Sequence, residues 1–182
     1  MQVHTTNISD VLILEPKVFG DDRGFFLESW NQRTLKEQAG IDEVFVQDNH
    51  SKSSKGVLRG LHYQLEQPQG KLVRVVTGRV LDVVVDIRKS SPTFGQYFSI
   101  ELNDQNHLQL WAPPGMAHGF VVLSDTADFM YKTTDYYATQ YERSILWNDN
   151  DLDIDWHLGD ITPSLSDKDK DGISFKNAEY YD

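Results

Sequence analysis

Between Lys55 and Gly78 the chain reads KGVLRGLHYQLEQPQGKLVRVVTG, with a histidine, a glutamine and a lysine at strand spacing. Alternation turns Leu61, Tyr63 and Leu65 to one face and His62 and Gln64 to the other. Gln67-Pro68-Gln69-Gly70 is a turn signal, and Lys71 to Val76 reads as a second strand closed by Gly78. The two strands are expected to form a hairpin with His62, Gln64, Lys71 and Val73 on one face. Polar side chains on the inner face of a β-barrel are costly unless they line a cavity for a polar ligand. Taken alone, His62 reads as a hydrogen-bonded core histidine. Beside Gln64 and Lys71 it reads as part of a cavity that binds something polar.

Charge points the same way. The 182 residues hold 17 Lys and Arg against 28 Asp and Glu, a net charge of −11, which argues against nucleic acid or an anionic membrane as partner. Residues 51–89 nevertheless hold eight basic residues and three acids. Such a basic island suits a small anionic ligand whose phosphates need local positive charge. Lys52, Lys55 and Lys89 can be ordinary surface lysines, whereas Arg59, Lys71 and Arg74 fall inside strand patterns.

The elements that must position these residues are mostly β. Val11 to Val18 and Phe25 to Trp30 read as an N-terminal hairpin around Gly20-Asp21-Asp22-Arg23-Gly24. Asn31 to Ala39 reads as a helix stopped by Gly40, with Gln32, Thr34, Lys36, Glu37 and Gln38 on its wet side. Phe45 to Asn49 reads as extended and Ser51 to Gly56 as a polar loop. Further strands are expected at 80–88, 96–102, 107–112, 120–123, 128–134 and 144–147. An irregular, helix-poor acidic tail follows from Asp149. Many short strands with turns about every ten residues indicate one all-β domain, a barrel or sandwich spanning 1–182.

Cysteine is absent, which excludes disulfides and thiolate-ligated zinc. No basic-then-apolar leader and no apolar run of membrane length is seen, so a soluble, cytoplasmic location is expected.

Gly56, His62 and Gly78 match in spacing the first motif of the cupin barrels, and Pro113-Pro114-Gly115-Met116-Ala117-His118 matches the second, P-x-G-x-x-H. Metal-binding cupins place two histidines, a glutamate and a late histidine there; this chain places His62, Gln64, Lys71 and His118. An ammonium repels a divalent cation and glutamine is a weak substitute for imidazole. The frame is kept and a metal site is not expected.

The resemblance extends beyond the frame. EPKVFGDDRGFFLE (15–28), GVLRGLHYQ (56–64), SPTFG (91–95), PPGMAHGF (113–120), YKTTDYY (131–137) and SDKD (166–169) closely resemble the dTDP-4-dehydrorhamnose 3,5-epimerase family, in order and over nearly the whole chain. The resemblance implies a jelly-roll barrel, a homodimer, no cofactor, and a dTDP-activated 4-keto-6-deoxyhexose as substrate. It implies His62 as base, Asp169 as the carboxylate orienting its ring, and Tyr131 as the acid opposite. Lys71 would stabilise the enolate and His118 would line the same pocket. Arg23 and Arg59 are implied at the diphosphate, where guanidinium forks suit phosphate oxygens. Glu28, Gln47 and Asn49 would contact the nucleoside and Tyr137 would stack on the base, with Glu142 and Lys168 nearby. The chemistry is consistent: carbons 3 and 5 both flank the carbon-4 ketone, so either proton can leave to give an enolate. Tyr131 is expected to titrate below an ordinary phenol beside cationic groups.

Arg59 and His62 have opposite parity, so aiming both inward requires a bulge or a strand that starts after Gly60. Asp82 reads as a strand-edge carboxylate, with a role behind the site as the alternative. Asp167 to Gly172 copies half of an EF-hand loop, but position twelve is Ala178 and two lysines intervene, so calcium is not expected. His4, His50, His107 and His157 read as structural or exposed. Two other readings remain: a single-carbon epimerase or 3,4-ketoisomerase on the same barrel, and a barrel that binds nucleotide sugar or a partner protein without turnover.

Overall fold

The computed structural model describes residues 1–181. Thirteen strands build it: β1 (Gln2–Thr5), β2 (Leu12–Glu15), β3 (Val18–Asp21), β4 (Gly24–Leu27), β5 (Gln47–Ser54), β6 (Leu58–Gln64), β7 (Lys71–Thr77), β8 (Arg79–Asp86), β9 (Tyr97–Asn103), β10 (Gln109–Ala112), β11 (Met116–Val122), β12 (Thr126–Thr133) and β13 (Glu142–Ser144). One sheet has the order β1-β2-β10-β7-β12-β5 and a second the order β13-β6-β11-β8-β9. All the pairings between these strands are antiparallel, and the two sheets pack face to face as a jelly-roll sandwich. No helix among the described residues is long and apolar enough to cross a membrane.

The core between the sheets contains Val73, Val75, Val80, Val84, Leu110, Met116, Phe120 and Phe129. The second sheet is covered on its outer face too. Leu61, Tyr63, Leu81, Val83, Val85 and Val121 pack there against Trp147, Ile154, Leu165, Phe175 and Tyr181 of the C-terminal segment. A strand buried on both faces needs apolar residues at both parities, which is why VLDVVVD in β8 hardly alternates.

Several expectations need correction. β6 and β7 are not a hairpin: they lie in different sheets, so the 67–70 turn crosses the sandwich. The Gln64 amide ties that crossing, donating to the carbonyls of Gln67 and Tyr136 and accepting from the Ala138 N–H. The expected strand 11–18 splits around Pro16, which has no N–H to extend a ladder. Its first part, β2, joins the larger sheet, and the second, β3, pairs with β4 as a separate two-stranded arm. Residues 51–54, expected as loop, complete β5, a strand whose polar side chains hide its β character. The late strand stands at 142–144 rather than 144–147, and β1 was not expected at all. The expected helix is a short α-turn, α1 (Gln32–Thr34), running into a π-turn over Leu35–Ala39 that buries Leu35 and ends at Gly40 with φ 70°. The tail is mostly irregular, with one short helix, α2 (Asp167–Lys170), capped by Ser166.

Candidate active site

A cavity of about 340 Å³ opens between the two sheets. The smaller sheet contributes Arg59, His62, His118 and Phe120; the larger contributes Lys71, Phe129, Tyr131 and, from β5, Gln47, Asn49 and Ser51. Tyr137, Glu142 and Lys168 also line it. Thus the base and acid implied by resemblance stand on opposite walls.

The parity problem has a local solution. His118 pairs with His62 and Phe120 with Arg59, so Gly119 faces both Gly60 and Leu61 and the ladder slips by one residue. A side chain at Gly60 has no room: its Cβ would fall 2.5 Å from the Gly119 Cα, at φ +130°.

Asp169, delivered by α2, sets its Oδ1 2.7 Å from His62 Nε2. The same carboxylate accepts the Gly60 N–H at 3.0 Å and the Ser166 hydroxyl at 2.5 Å. Burial alone would raise Asp169; the His62, Ser166 and Gly60 contacts outweigh it and hold the carboxyl far below its usual range. The His62 Nε2 and Asp169 Oδ1 atoms approach closely, but the contact is poorly aligned as a hydrogen bond. His62 itself is pushed down, first by burial and then by Lys168 and Lys71, against the raising effect of Asp169. An imidazole held neutral near pH 7 results.

Lys71 is the buried cation of the site. Burial brings it down to about 8, opposed by Asp82 and Glu142. Its Nζ donates at 3.3 Å to the His62 carbonyl, leaving further donors for a ligand. Tyr131 departs from expectation. Burial, with Glu142 adding, raises its phenol, and Arg59 only partly offsets them. It is therefore a protonated donor at neutral pH.

Tyr137 donates to Glu142 at 2.7 Å, and Lys168 pairs with the other oxygen of that carboxylate. Gln47 donates to Asn49 at 2.9 Å and accepts from the Tyr137 N–H at 3.0 Å, and Arg59 donates to the Ser53 hydroxyl at 3.2 Å. Two implied residues are not brought to this cavity. Arg23 sits at the tip of the β3–β4 arm against Asp21, its side chain 90 % exposed, and Glu28 accepts from Asn31 and Thr34.

Asp82 is also a correction. It is no strand-edge carboxylate but fully buried, and both its oxygens approach His118 Nε2, at 3.1 and 2.9 Å. Sequence reasoning missed Ser51, Gln69, Phe120, Phe129 and Ser166. Phe129 shares strand parity with Tyr131 and Ser51 with Asn49, a signal that strand reading of 51–54 would have used.

The four positions where a cupin would bind metal do not suit a divalent ion. Gln64 is turned away to the 67–70 and 136–138 loops, Lys71 is cationic, and the Nε2 atoms of His62 and His118 already face carboxylates. What the fold and site define is a cupin-type jelly roll with a proton-transfer cavity, not a metal-binding one. Comparison with known proteins narrows this. Residues 5–177 match the dTDP-4-dehydrorhamnose 3,5-epimerase family, and the chain belongs to it. It is 59 % identical to the dTDP-4-dehydrorhamnose 3,5-epimerase of Shigella flexneri, covering 100 % of this chain and 99 % of that protein. A solved dTDP-6-deoxy-D-glucose-3,5-epimerase from Legionella pneumophila, in complex with dTDP-4-keto-L-rhamnose, is 51 % identical with a TM-score of 0.95, covering 98 % and 94 % of the two chains. A 3'-monoepimerase from Streptomyces bikiniensis, in complex with dTDP-quinovose, is 33 % identical with a TM-score of 0.90, covering 96 % and 88 %.

Proposed function

We propose that this chain inverts carbons 3 and 5 of dTDP-4-dehydro-6-deoxyglucose through enolate intermediates, giving dTDP-4-dehydrorhamnose without a cofactor. The observation that supports this best is the opposition of His62 and Tyr131 across one cavity, with Lys71 beside them. With Nε2 turned to Asp169, His62 offers Nδ1 to the substrate. That nitrogen takes the proton from the carbon next to the ketone, the C–H pair becomes the enolate double bond, and charge collects on the carbon-4 oxygen. The resulting imidazolium is stabilised by Asp169, and the oxyanion by the Lys71 ammonium. Tyr131 then returns a proton to the carbon from the far face, which inverts it, and solvent exchange resets both groups. A second round at the other carbon uses the same atoms, because both carbons flank the same ketone.

In this reading Arg59 meets the diphosphate, Tyr137 stacks on the base, and Gln47, Asn49, Glu142 and Lys168, which line the same cavity, contact the nucleoside side of the ligand. Arg23 and Glu28 join the site from the partner of a homodimer in this reading. The unpaired β3–β4 arm supports it, since Val18, Phe19, Phe25 and Phe26 stand exposed along it. The expected setting is the cytoplasm.

The likeness to a monoepimerase keeps a single-carbon reading in view, and one experiment separates the two. Incubation with dTDP-4-keto-6-deoxyglucose in heavy water, followed by proton NMR, should show deuterium and inversion at both carbons. Inversion confined to carbon 3 or carbon 5 would establish the single-carbon reading, and no exchange would overturn both.

A further inference from the structure

Two histidines line the cavity, each backed by a carboxylate, and they are direct cross-strand partners: His118 on β11 faces His62 on β6. The first pair, His62–Asp169, is the base. The second, His118–Asp82, has no part in the steps above. Asp82 lies opposite Phe120 on β8, so it is the diagonal same-face neighbour of His118. It is fully buried, and His118 Nε2 is the hydrogen-bond partner it has among the described residues. Both carboxyl oxygens converge on that one nitrogen, the geometry of a ring N–H donating from Nε2 to the carboxyl group. The Phe129 ring, inclined 24° to the imidazole at 6.1 Å, stacks against it and restricts its tilt. His118 Nδ1 has no protein partner among the described residues and is not a sealed-off atom, so it opens to the cavity.

We propose that Asp82 is a positioning residue that fixes the tautomer of His118. The imidazole then presents Nδ1 to the cavity as a hydrogen-bond acceptor for a sugar hydroxyl beside the reacting ketone. The role rests on the proposed substrate and divides the polar work of the site. Lys71 and Arg59 supply only donors, which suit an oxyanion and phosphates, whereas a hydroxyl hydrogen needs an acceptor. The hydroxyl on carbon 3 has to be held while the carbon bearing it is inverted, and an imidazole tied from behind by a buried carboxylate is a rigid group for that purpose.

The test has a spectroscopic and a kinetic arm. In long-range 1H–15N spectra of the labelled protein with dTDP bound, His118, assigned by its loss in His118→Gln, should be a neutral ring protonated at Nε2. Asp82→Asn, whose amide can also donate, should shift the ring toward the Nδ1-protonated form and lower kcat/KM about 10- to 100-fold. In a His118→Gln background the same substitution should change the rate less than about twofold, since Asp82 acts through the imidazole. A wild-type ring protonated at Nδ1, or at both nitrogens, would overturn the proposal. So would an Asp82→Asn penalty of equal size in both backgrounds. If Asp82→Asn does not fold, the wild-type spectrum decides alone. It reads the tautomer even if the protein turned out to invert a different sugar.

Discussion

Arg59 and His62 lie three residues apart on one strand and both face the cavity, because Gly119 stands opposite two residues of that strand instead of one. The slip brings the Arg59 guanidinium and the His62 imidazole to one wall. It depends on close backbone approach at Gly60, where φ is +130° and a methyl would meet the His118 carbonyl at 2.9 Å as well as the Gly119 Cα. Gly60→Ala should therefore cost at least about 2 kcal/mol in urea unfolding and remove most activity, since relaxing the bulge turns one of the two side chains away. Wild-type stability and rate in this variant would show that the register tolerates a side chain.

The dependence of kcat/KM on pH should be a bell. His62 must be neutral to take a proton, and its pKa is lowered, so the acid limb should lie below the ordinary histidine value of 6.5. Lys71 must be charged to meet the enolate, and at about 8 it loses its proton as pH rises, which sets the alkaline limb. Lys71→Arg keeps its charge and should move the alkaline limb upward while leaving the acid limb in place. An alkaline limb unmoved by that substitution would assign it to another group.

His62 and Tyr131 stand on separate walls, so the two half-steps of the proposed reaction should be separable. His62→Ala should lose both deuterium exchange and inversion, by roughly 10²–10⁴-fold. Tyr131→Phe should still exchange but invert poorly, because protons return only from the His62 face. Lys71→Ala should slow both together by roughly 10²–10³-fold. Exchange that survives in His62→Ala and vanishes in Tyr131→Phe would reverse the assignments.

Arg23 offers a test of assembly. If the arm completes a partner's cavity, mixing inactive Arg23→Ala and His62→Ala proteins under conditions of subunit exchange should restore measurable turnover. No recovery despite proven exchange would mean that Arg23 serves its own chain or none.

Metal removal is the simplest check on the ligand positions. With Gln64 engaged by two loops and Lys71 cationic, turnover should survive exhaustive chelation. Activity lost with the chelator and regained with a divalent ion would overturn the reading.

Period-two alternation, turn residues and motif order made the β class and the histidines, lysine and tyrosine of the cavity legible in the chain itself. His62 and Lys71 were placed on one polar face, and they do meet. They meet across the gap between two sheets rather than along one hairpin, because a turn signal at 67–70 says that the chain reverses and not which sheet receives it. Strand β5 was half hidden, since Ser51 lines a polar cavity and Ser53 meets the Arg59 guanidinium, so neither carries the apolar mark of an inner face. Tyr131 was expected to be acidified by cations, yet burial governs its ionisation, and burial is a property of packing. Asp82 gives the clearest division. Its place in a strand was written in VLDVVVD, but only the pairing of β8 with β11 brings it against His118. A strand's own sequence fixes which side chains share a face, whereas their partners are fixed by register between strands distant in the chain.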